Sequence, residues 1–210
     1  KDGVIFNGVK WSFIRINAGN VNITNLTIFN SGSNRPPVDI RGGMVNIINC
    51  TIANNTADGY GGAMYVSNAN VNVTNCVLAN NTSNGYGGAF YLYGNAKLII
   101  QSSLFIKNKA NNGDNGQIIY AGQSTGGYTN ISNCVLLNNN SKIAIYAPNV
   151  NVIANNNWWG QNNLTVNNVK TTVDSWLVMN ITNPEFSKST NITVAFNIYN
   201  KTSGDISLYN

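Results

Sequence analysis

The chain contains a short segment that recurs six times, and this internal repeat restricts the possible folds more than any other feature. The copies start 24, 26, 27, 31 and 21 residues apart, which is typical of a repeat whose loops vary while its strands keep one pattern. The six copies begin at Val21, Val45, Val71, Leu98, Thr129 and Val150, and the third reads VNVTNCVLAN. A unit of about 25 residues cannot bury its own apolar face, so consecutive units are expected to stack.

A strand of three residues with the pattern apolar, variable, apolar precedes each copy. The variable position holds Arg15 and Asp39 in the first two copies, so it is predicted to face solvent while its neighbours face the core. In the four later copies the variable position is a tyrosine: Tyr65, Tyr91, Tyr120 and Tyr146. Each repeat then continues as two further short strands, which are separated by a bend.

The bend carries an asparagine in most copies, at Asn25, Asn49, Asn75 and Asn133, with Ser102 once. Asparagine tolerates the left-handed backbone conformation, and stacked asparagine side chains can hydrogen-bond one another. Paired glycines, Gly61–Gly62 and Gly87–Gly88, are expected to supply positive φ where a loop leads into the next strand.

These patterns predict an all-β chain: a right-handed, three-faced parallel β-helix of about six to seven rungs, stacked about 4.8 Å apart. A doubly wound α/β fold is disfavoured because no connection shows a helical pattern. Residues 1–160 are assigned to the β-helix. Residues 161–210 are assigned to a cap and the start of an immunoglobulin-like or strand-exchange segment, with two extra strands at 172–182 and 192–199.

Composition restricts the possible functions. Charged residues make up 9% of the 210 residues, histidine is absent, and the net charge of +5 shows no basic cluster. The absence of histidine removes His-assisted nucleophiles and most zinc sites, and the dispersed charge disfavours a nucleic-acid binder. No run approaches the roughly 20 apolar residues of a membrane-spanning helix. We therefore predict no cofactor, no metal site, no nucleic-acid partner and no membrane span in this segment.

The three cysteines, Cys50, Cys76 and Cys134, share one inward column with Leu26. A column that accepts leucine is a packing column, so buried, reduced thiols are expected. A Cys50–Cys76 disulfide is the alternative, but in-register strands hold the two Cβ vectors parallel, which does not favour it.

The tyrosine stripe, Tyr65, Tyr91, Tyr120 and Tyr146, is the best candidate for a ligand-binding surface, together with the loop tyrosines Tyr60 and Tyr86. Tyrosine can stack on sugar rings and hydrogen-bond their hydroxyls. The alternative is a purely structural ladder, because tyrosine has a high β-propensity.

Three other groups of residues invite functional readings. Asp58, Asn84 and Asp114 lie in comparable loops and could offer oxygen ligands to Ca²⁺, but they are too sparse, and solvated loop residues are the preferred interpretation. Trp158, Trp159 and Trp176 are expected to cap the last rung. Among the thirteen Asn-x-Ser/Thr sequons, the glycosylation candidates are Asn22, Asn72, Asn130 and Asn191.

The Asn-Asn-Thr loops, the GGAMY and GGAFY segments, the NWWG sequence ending at Gly160 and the later SWLVM resemble adhesin-like proteins of methanogenic archaea. These are very large, Asn/Thr-rich surface proteins with pectin-lyase-like β-helices followed by immunoglobulin-like repeats. The resemblance covers roughly residues 4–200. It implies an extracellular, cell-surface glycoprotein that contacts cell-surface glycans or other copies of itself.

The leading hypothesis is a non-enzymatic surface adhesin or stalk segment, in which a rigid β-helix displays a surface that contacts glycans. The alternative is a subunit of a self-assembling surface filament or sheath that uses C-terminal strand addition. A polysaccharide lyase is the remote alternative. Such an enzyme needs clustered carboxylates for Ca²⁺ and an Arg or Lys base, whereas only Asp39 lies near Arg15, Arg35 and Arg41 in the early repeats.

Overall fold

The computed structural model describes residues 3–8, 10–113, 115–137, 143–164, 169–170, 173–182, 193–201 and 206–208. These residues contain no α-helix, so they include no helix that is long and apolar enough to cross a membrane. Their strands, numbered along the chain, are β1 (Val4–Asn7), β2 (Ile14–Ile16), β3 (Asn20–Thr24), β4 (Leu26–Phe29), β5 (Gly32–Ser33), β6 (Val38–Ile40), β7 (Met44–Ile48), β8 (Thr51–Ala53), β9 (Thr56–Ala57), β10 (Met64–Ser67), β11 (Asn70–Thr74), β12 (Val77–Ala79), β13 (Thr82–Ser83), β14 (Phe90–Gly94), β15 (Lys97–Gln101), β16 (Leu104–Ile106), β17 (Lys109–Ala110), β18 (Asn115–Ser124), β19 (Tyr128–Ser132), β20 (Val135–Leu137), β21 (Ile143–Tyr146), β22 (Asn151–Ile153), β23 (Val169–Lys170), β24 (Ser175–Thr182), β25 (Thr193–Asn200) and β26 (Ile206–Leu208).

The strands form a parallel β-helix with three wide sheets, as the repeat predicts. Sheet 1 has the order β2-β6-β10-β14-β18-β21-β23, sheet 2 the order β3-β7-β11-β15-β19-β22, and sheet 3 the order β1-β4-β8-β12-β16-β20. A fourth, narrow sheet of two-residue strands, β5-β9-β13-β17, lies between sheet 3 and the next strand of sheet 1. The sequence reading did not anticipate this fourth sheet.

The prediction of six to seven rungs was slightly too high. Within the described residues, five coils contribute a strand to all three wide sheets, beginning at β2, β6, β10, β14 and β18. Strand β1 precedes these coils, and β21 and β22 form part of a further one. The sixth copy of the repeat is therefore part of an incomplete coil, because β21 and β22 contribute to only two of the three wide sheets among the described strands.

Successive coils are in register. Val21 pairs with Val45, Val45 with Val71, and Val71 with Leu98, and the column continues through Thr129 to Val152. The side chains of Val45, Val71 and Leu98 are at most 1% exposed. The apolar columns form one continuous core along the axis. Burial of one such side chain contributes roughly 1.5–3 kcal/mol to the stability of the fold.

The bends adopt the predicted left-handed conformation. Asn25, Asn49, Asn75 and Asn133 have φ between 54° and 55°, and Ser102 has φ 49°. A second left-handed column, between sheet 3 and the narrow sheet, was not anticipated; it consists of Asn30, Asn54, Asn80 and Lys107. The four coils that begin at β2, β6, β10 and β14 thus each turn two corners with a residue in the left-handed conformation.

The glycine pairs serve two different purposes. The first glycine of each pair, Gly61 or Gly87, has φ +74°, as expected. The second glycine, Gly62 or Gly88, does not have a positive φ. A Cβ on Gly62 would instead collide with the backbone oxygen of Gly88 in the following coil. The second glycine is therefore needed for close approach between coils.

Amide side chains link the coils in columns other than the bend column. Inside the core, Asn81 donates through Nδ2 to Oδ1 of Asn108 (3.0 Å) and to the backbone oxygen of Ile52 (2.8 Å). Its own Oδ1 accepts hydrogen bonds from Nδ2 and the backbone nitrogen of Asn55. The outer face of sheet 2 carries a second ladder, in which Asn72 donates to Asn46 and Asn46 to Asn22, both at 2.8 Å.

The cysteine column is buried and reduced, as predicted, but it does more than fill space. The sulfur of Cys76 accepts a hydrogen bond from the backbone nitrogen of Cys50, and the sulfur of Cys134 accepts one from that of Ser103, both at 3.4 Å. The hydroxyl of Ser103 accepts from the nitrogen of Cys76 at 3.1 Å. The column therefore favours small side chains that can accept an inward-pointing N–H group.

The C-terminal part contains more strands than predicted. Strands β24, β25 and β26 form an antiparallel sheet, whereas the sequence indicated two strands. Strand β23 pairs in parallel with β21 and so extends sheet 1 beyond residue 160.

Substitution Asn81→Ala is expected to lower the free energy of unfolding by about 3 kcal/mol, because a buried hydrogen-bonding group left without a partner costs about 1–3 kcal/mol. Urea denaturation measures this loss. Asn84→Ala is the matched control, because Asn84 forms an exposed amide contact with Asp58, and its effect should stay within about 0.5 kcal/mol. Equal midpoints for the two variants would contradict a stabilising role for the interior ladder.

The three thiols are expected to resist a thiol-specific reagent in the native protein at pH 8. All three are buried, so the reagent cannot reach them, and burial also raises the pKa of Cys134 to about 11, so little of its thiolate forms. The hydrogen bond with Cys76 lowers the pKa of Cys50 to about 6, so burial alone protects that sulfur. Counting reacted thiols by absorbance should give none quickly in buffer and three in urea. An Asn84→Cys variant should add one fast thiol, and rapid reaction of the native wild-type chain would contradict this burial.

Candidate functional site: the tyrosine stripe and an arginine cleft

One outward-facing column runs along the middle of sheet 1. Register pairs Arg15 with Asp39, Asp39 with Tyr65, and then the four stripe tyrosines with one another. The column ends where Tyr146 pairs with Lys170 of β23. Its chemistry therefore changes along the axis from an ion pair to a row of aromatic rings.

The four tyrosines of the stripe stack face to face. Successive ring centroids lie 5.5, 5.5 and 5.2 Å apart, with planes 9–24° from parallel, in the order Tyr65, Tyr91, Tyr120 and Tyr146. The in-register strands impose this spacing, because each ring lies one coil above the previous one.

The loop tyrosines join the same stack. Tyr60 lies 4.6 Å from Tyr91, and Tyr86 lies 4.4 Å from Tyr120, measured between ring centroids. The two loop rings are also parallel to each other at 6.0 Å. The six tyrosines that the sequence analysis selected thus form one continuous aromatic surface.

The stripe is less exposed than its outward position suggested. Tyr91 is only 2% exposed although it lies on the outer side of sheet 1, because neighbouring rings cover it, and its hydroxyl donates to Oε1 of Gln123 at 3.0 Å. The expectation of an exposed ring is therefore wrong for Tyr91. Tyr65, Tyr120 and Tyr146 are half-buried, and Tyr60 is 44% exposed.

Stacking determines which parts of the rings a ligand can reach. Within the stripe, ring faces lie against the rings of adjacent coils, so ring edges and hydroxyl groups are the accessible parts. Burial raises the pKa of Tyr65, Tyr91 and Tyr120, so these phenols stay neutral at pH 7. An open ring face is available where the stack ends. Tyr60 lies at such an end, because the two rings next to it, Tyr86 and Tyr91, both belong to the following coil.

Three arginines converge on one buried carboxylate at the N-terminal end of the stripe. Asp39 is 1% exposed, and its oxygens lie 3.1 Å from Arg15, 3.4 Å from Arg35 and 3.1 Å from Arg41. The hydrogen bond from Arg41 to Asp39 raises the pKa of that guanidinium, so it stays charged. Because one carboxylate balances three guanidinium groups, the cluster carries an excess of positive charge.

The cluster and the end of the stripe share an open cleft of about 420 Å³, the arginine cleft. Its lining includes Asp39, two of its arginines, Arg35 and Arg41, and the tyrosines Tyr60 and Tyr65. The Cζ atom of Arg41 is 5.7 Å from the centroid of the Tyr65 ring, which is a cation–π distance. The cleft thus combines positive charge with an aromatic surface.

The tryptophans predicted as a cap lie at the C-terminal end of the coils. Trp159 is 6% exposed, and the backbone nitrogen of Trp158 donates to the backbone oxygen of Cys134 at 2.9 Å. The Trp158 ring meets Phe196 of β25 edge-on, with centroids 5.4 Å apart. The indole nitrogen of Trp176 donates to the backbone oxygen of Asn162 at 2.8 Å.

The Ca²⁺ candidates do not converge on a cation site. Asp58 accepts a hydrogen bond from Asn84, and Asn84 accepts one from Asn111, so these side chains form an exposed ladder. Asp114 lies outside the described residues. Among the residues that are described, no group of three or more Cys, Asp or Glu side chains is placed to hold a metal ion.

The glycosylation candidates differ in accessibility. Asn22 is exposed, whereas Asn72 is half-buried and its Nδ2, the atom that a glycan would modify, donates to Asn46. Asn130 is half-buried, and Asn191 lies outside the described residues.

Sequence reasoning missed the arginine cleft as a unit. Arg15 and Asp39 were placed in one column, but Arg35 and Arg41 lie outside that column. The only signal in the sequence was the presence of all three arginines of the chain within two repeats.

Comparison with protein-family models, with curated proteins and with solved structures gave no match to this chain.

Substitution Asp39→Asn is expected to destabilise the protein by about 2 kcal/mol at low salt. Removing one partner of a buried ion pair costs about 3–5 kcal/mol, and partial exposure of the arginines reduces that figure. The loss should shrink at 1 M NaCl, where the Debye length is about 3 Å. Urea denaturation at both salt concentrations measures it, with the exposed Asp58→Asn as the control; a salt-independent loss would contradict repulsion between the arginines.

Proposed function

We propose that this chain is a non-enzymatic segment of an extracellular, cell-surface adhesin or stalk, in which the β-helix is a rigid scaffold that displays a glycan-contacting surface. The observation that carries the proposal is the stack of six tyrosines, four of them in register on sheet 1 and two of them in loops. This stack ends at a cleft that is open to solvent and lined by charged and aromatic side chains.

The scaffold role is supported by the continuity of the core. Apolar columns, the cysteine column and the interior asparagine ladder all cross from coil to coil without interruption at a hinge. Five complete coils at about 4.8 Å each extend about 24 Å along the axis. Such a unit holds groups at its surface at fixed separations.

Glycan contact is supported by the kind of groups that the surface offers. Phenol hydroxyls and ring edges repeat once per coil, and tyrosine combines an apolar surface with a hydrogen-bonding tip. Sugars present the complementary combination of apolar C–H faces and hydroxyl groups.

The non-enzymatic part of the proposal rests on composition and on the state of Asp39. The chain has no histidine, six aspartates and one glutamate. Asp39 is paired with three arginines, whereas glycoside hydrolysis ordinarily uses two carboxyl groups on either side of the scissile bond. The assignment to the cell surface follows from the resemblance to methanogen adhesin-like proteins.

An antibody against the chain is expected to label intact cells that make the protein, and beads coated with the chain are expected to adhere to glycan-coated surfaces. Beads that carry a Tyr60→Ala, Tyr86→Ala variant should adhere less than wild-type beads, whereas a Tyr128→Ala variant, altered on sheet 2, should not. Labelling only after permeabilisation would contradict the proposal. So would release of unsaturated products or reducing ends from polygalacturonate, because that outcome would indicate a lyase or hydrolase.

A self-assembling filament or sheath subunit is the second candidate. It is favoured by exposed apolar residues near both ends of the described structure. Val4 and Ile5 of β1, the first strand of sheet 3, are 60% and 65% exposed. Val194 and Phe196 are 50% and 39% exposed and lie on a face of β25, the central strand of the C-terminal sheet. Strand edges and apolar faces of this kind are templates for pairing between chains. Electron microscopy of the purified chain separates the two, since filaments with shared strands support assembly and isolated rods oppose it.

A further inference from the structure

The arginine cleft combines two kinds of lining group at the N-terminal end of the tyrosine stack. It is lined by Arg35 and Arg41, whose side chains are 53% and 40% exposed. It is also lined by the loop tyrosine Tyr60, which is 44% exposed. A ligand that fills the cleft therefore touches cations and an aromatic surface at the same time.

We infer that the arginine cleft binds an acidic sugar unit, a pyranose that carries a carboxylate or sulfate group, as part of a glycan chain. The anionic group is held by Arg35 and Arg41, and the sugar ring lies against Tyr60. This inference rests on the proposed glycan contact and adds the charge class of the ligand and the place where it binds.

Asp39 leaves most of the guanidinium donors of Arg35 and Arg41 outside its ion pairs. The ion pair with Arg41 uses its Nε–H, and the ion pair with Arg35 uses Nη1. A guanidinium has five N–H donors, so four on each of these arginines lie outside its pair with Asp39. Planar guanidinium donors match carboxylate and similar oxyanions in two-point contacts.

The charge of the cluster favours an anion. Arg15, Arg35 and Arg41 together carry three positive charges against the single negative charge of Asp39. The nearest other carboxylate in sequence, Asp58, is exposed and accepts a hydrogen bond from Asn84 of the following coil. An incoming anion therefore meets guanidinium groups that are partly shielded from water and already fixed in position by Asp39.

An aromatic ring in the cleft favours a sugar over other anions, because tyrosine can stack on a sugar ring. Tyr60 stacks on Tyr86 and Tyr91 of the following coil, and its ring also lines the cleft on the side of the preceding coil. Arg41 already occupies the neighbourhood of the Tyr65 ring, so Tyr60 is the ring that remains for the ligand. Beyond the cleft the hydroxyl row of the stripe continues along the axis, where it can meet the hydroxyls of further sugar units.

The test measures binding of the full chain by calorimetry, using two matched pairs of probes. The pairs are oligogalacturonate with its methyl ester, and a carrageenan oligosaccharide with a neutral agarose oligosaccharide. We expect the acidic member of at least one pair to bind about tenfold or more tightly than its neutral partner, because charge-assisted hydrogen bonds are stronger than neutral ones. The pair that discriminates identifies the carboxylate or the sulfate.

Variants locate the site. Arg35→Gln should weaken acidic-glycan binding about tenfold, since it removes one charge-assisted contact. Lys97→Gln removes the same charge on sheet 2 and should leave binding unchanged. Tyr60→Ala should weaken binding of acidic glycans, whereas Tyr128→Ala, at an exposed tyrosine next to Lys97, should not. Circular dichroism confirms that each variant is folded.

Four outcomes would overturn the inference. If neutral probes bind as tightly as acidic ones, the glycan contact stands but the charge class is wrong. If no glycan binds at all, the proposed function fails together with the inference. Equal binding of polyglutamate or a single-stranded oligonucleotide would indicate a nonspecific anion patch, and equal losses in Arg35→Gln and Lys97→Gln would place the contact elsewhere.

Discussion

The structure depends on hydrogen bonding between parallel, in-register coils. Strands of the inner coils pair with the equivalent strands of the coils before and after them, so most strand residues share a column with a counterpart about 25 residues away. In sheet 1 the register shifts within the β14–β18 and β18–β21 pairs. The side chains of one column must therefore be able to pack against or hydrogen-bond one another at the spacing between strands, about 4.8 Å. Valine and isoleucine satisfy this condition inside, the amides of Asn55, Asn81 and Asn108 satisfy it by donating to one another, and tyrosine rings satisfy it outside by stacking.

The same condition accounts for the chemistry of the candidate site. Like charges stacked at this spacing would repel, and the outward column of sheet 1 instead places Arg15 beside Asp39. Arg35 and Arg41 approach the same carboxylate from outside the column, and Arg41 also covers Tyr65. The transition from ions to aromatic rings thus creates a place where positive charge and an accessible ring lie side by side.

Residues whose environment follows from strand alternation could be predicted from the sequence. Val21, Val45 and Val71 lie in one inward column, and Asn49 and Asn75 take the left-handed bend, because both properties are local and recur in each copy. The partial coils at the ends were miscounted because a recognisable strand pattern does not require a complete circuit. The role of the cysteine column was also incomplete, since the sequence does not show that the N–H of Cys50 points inward at a neighbouring sulfur.

The repeat was sufficient to predict the coiled architecture, the inward and outward faces and the row of tyrosines, because a repeating pattern specifies the same backbone path in every copy. Three features became evident only in the folded molecule: Tyr91 is covered, Tyr60 lies at the end of the stack, and three arginines meet at Asp39. These features depend on loops that differ from copy to copy, and on contacts between side chains that alternation does not bring together. The distribution of charge and exposed aromatic surface along the scaffold is therefore a property of the folded loops.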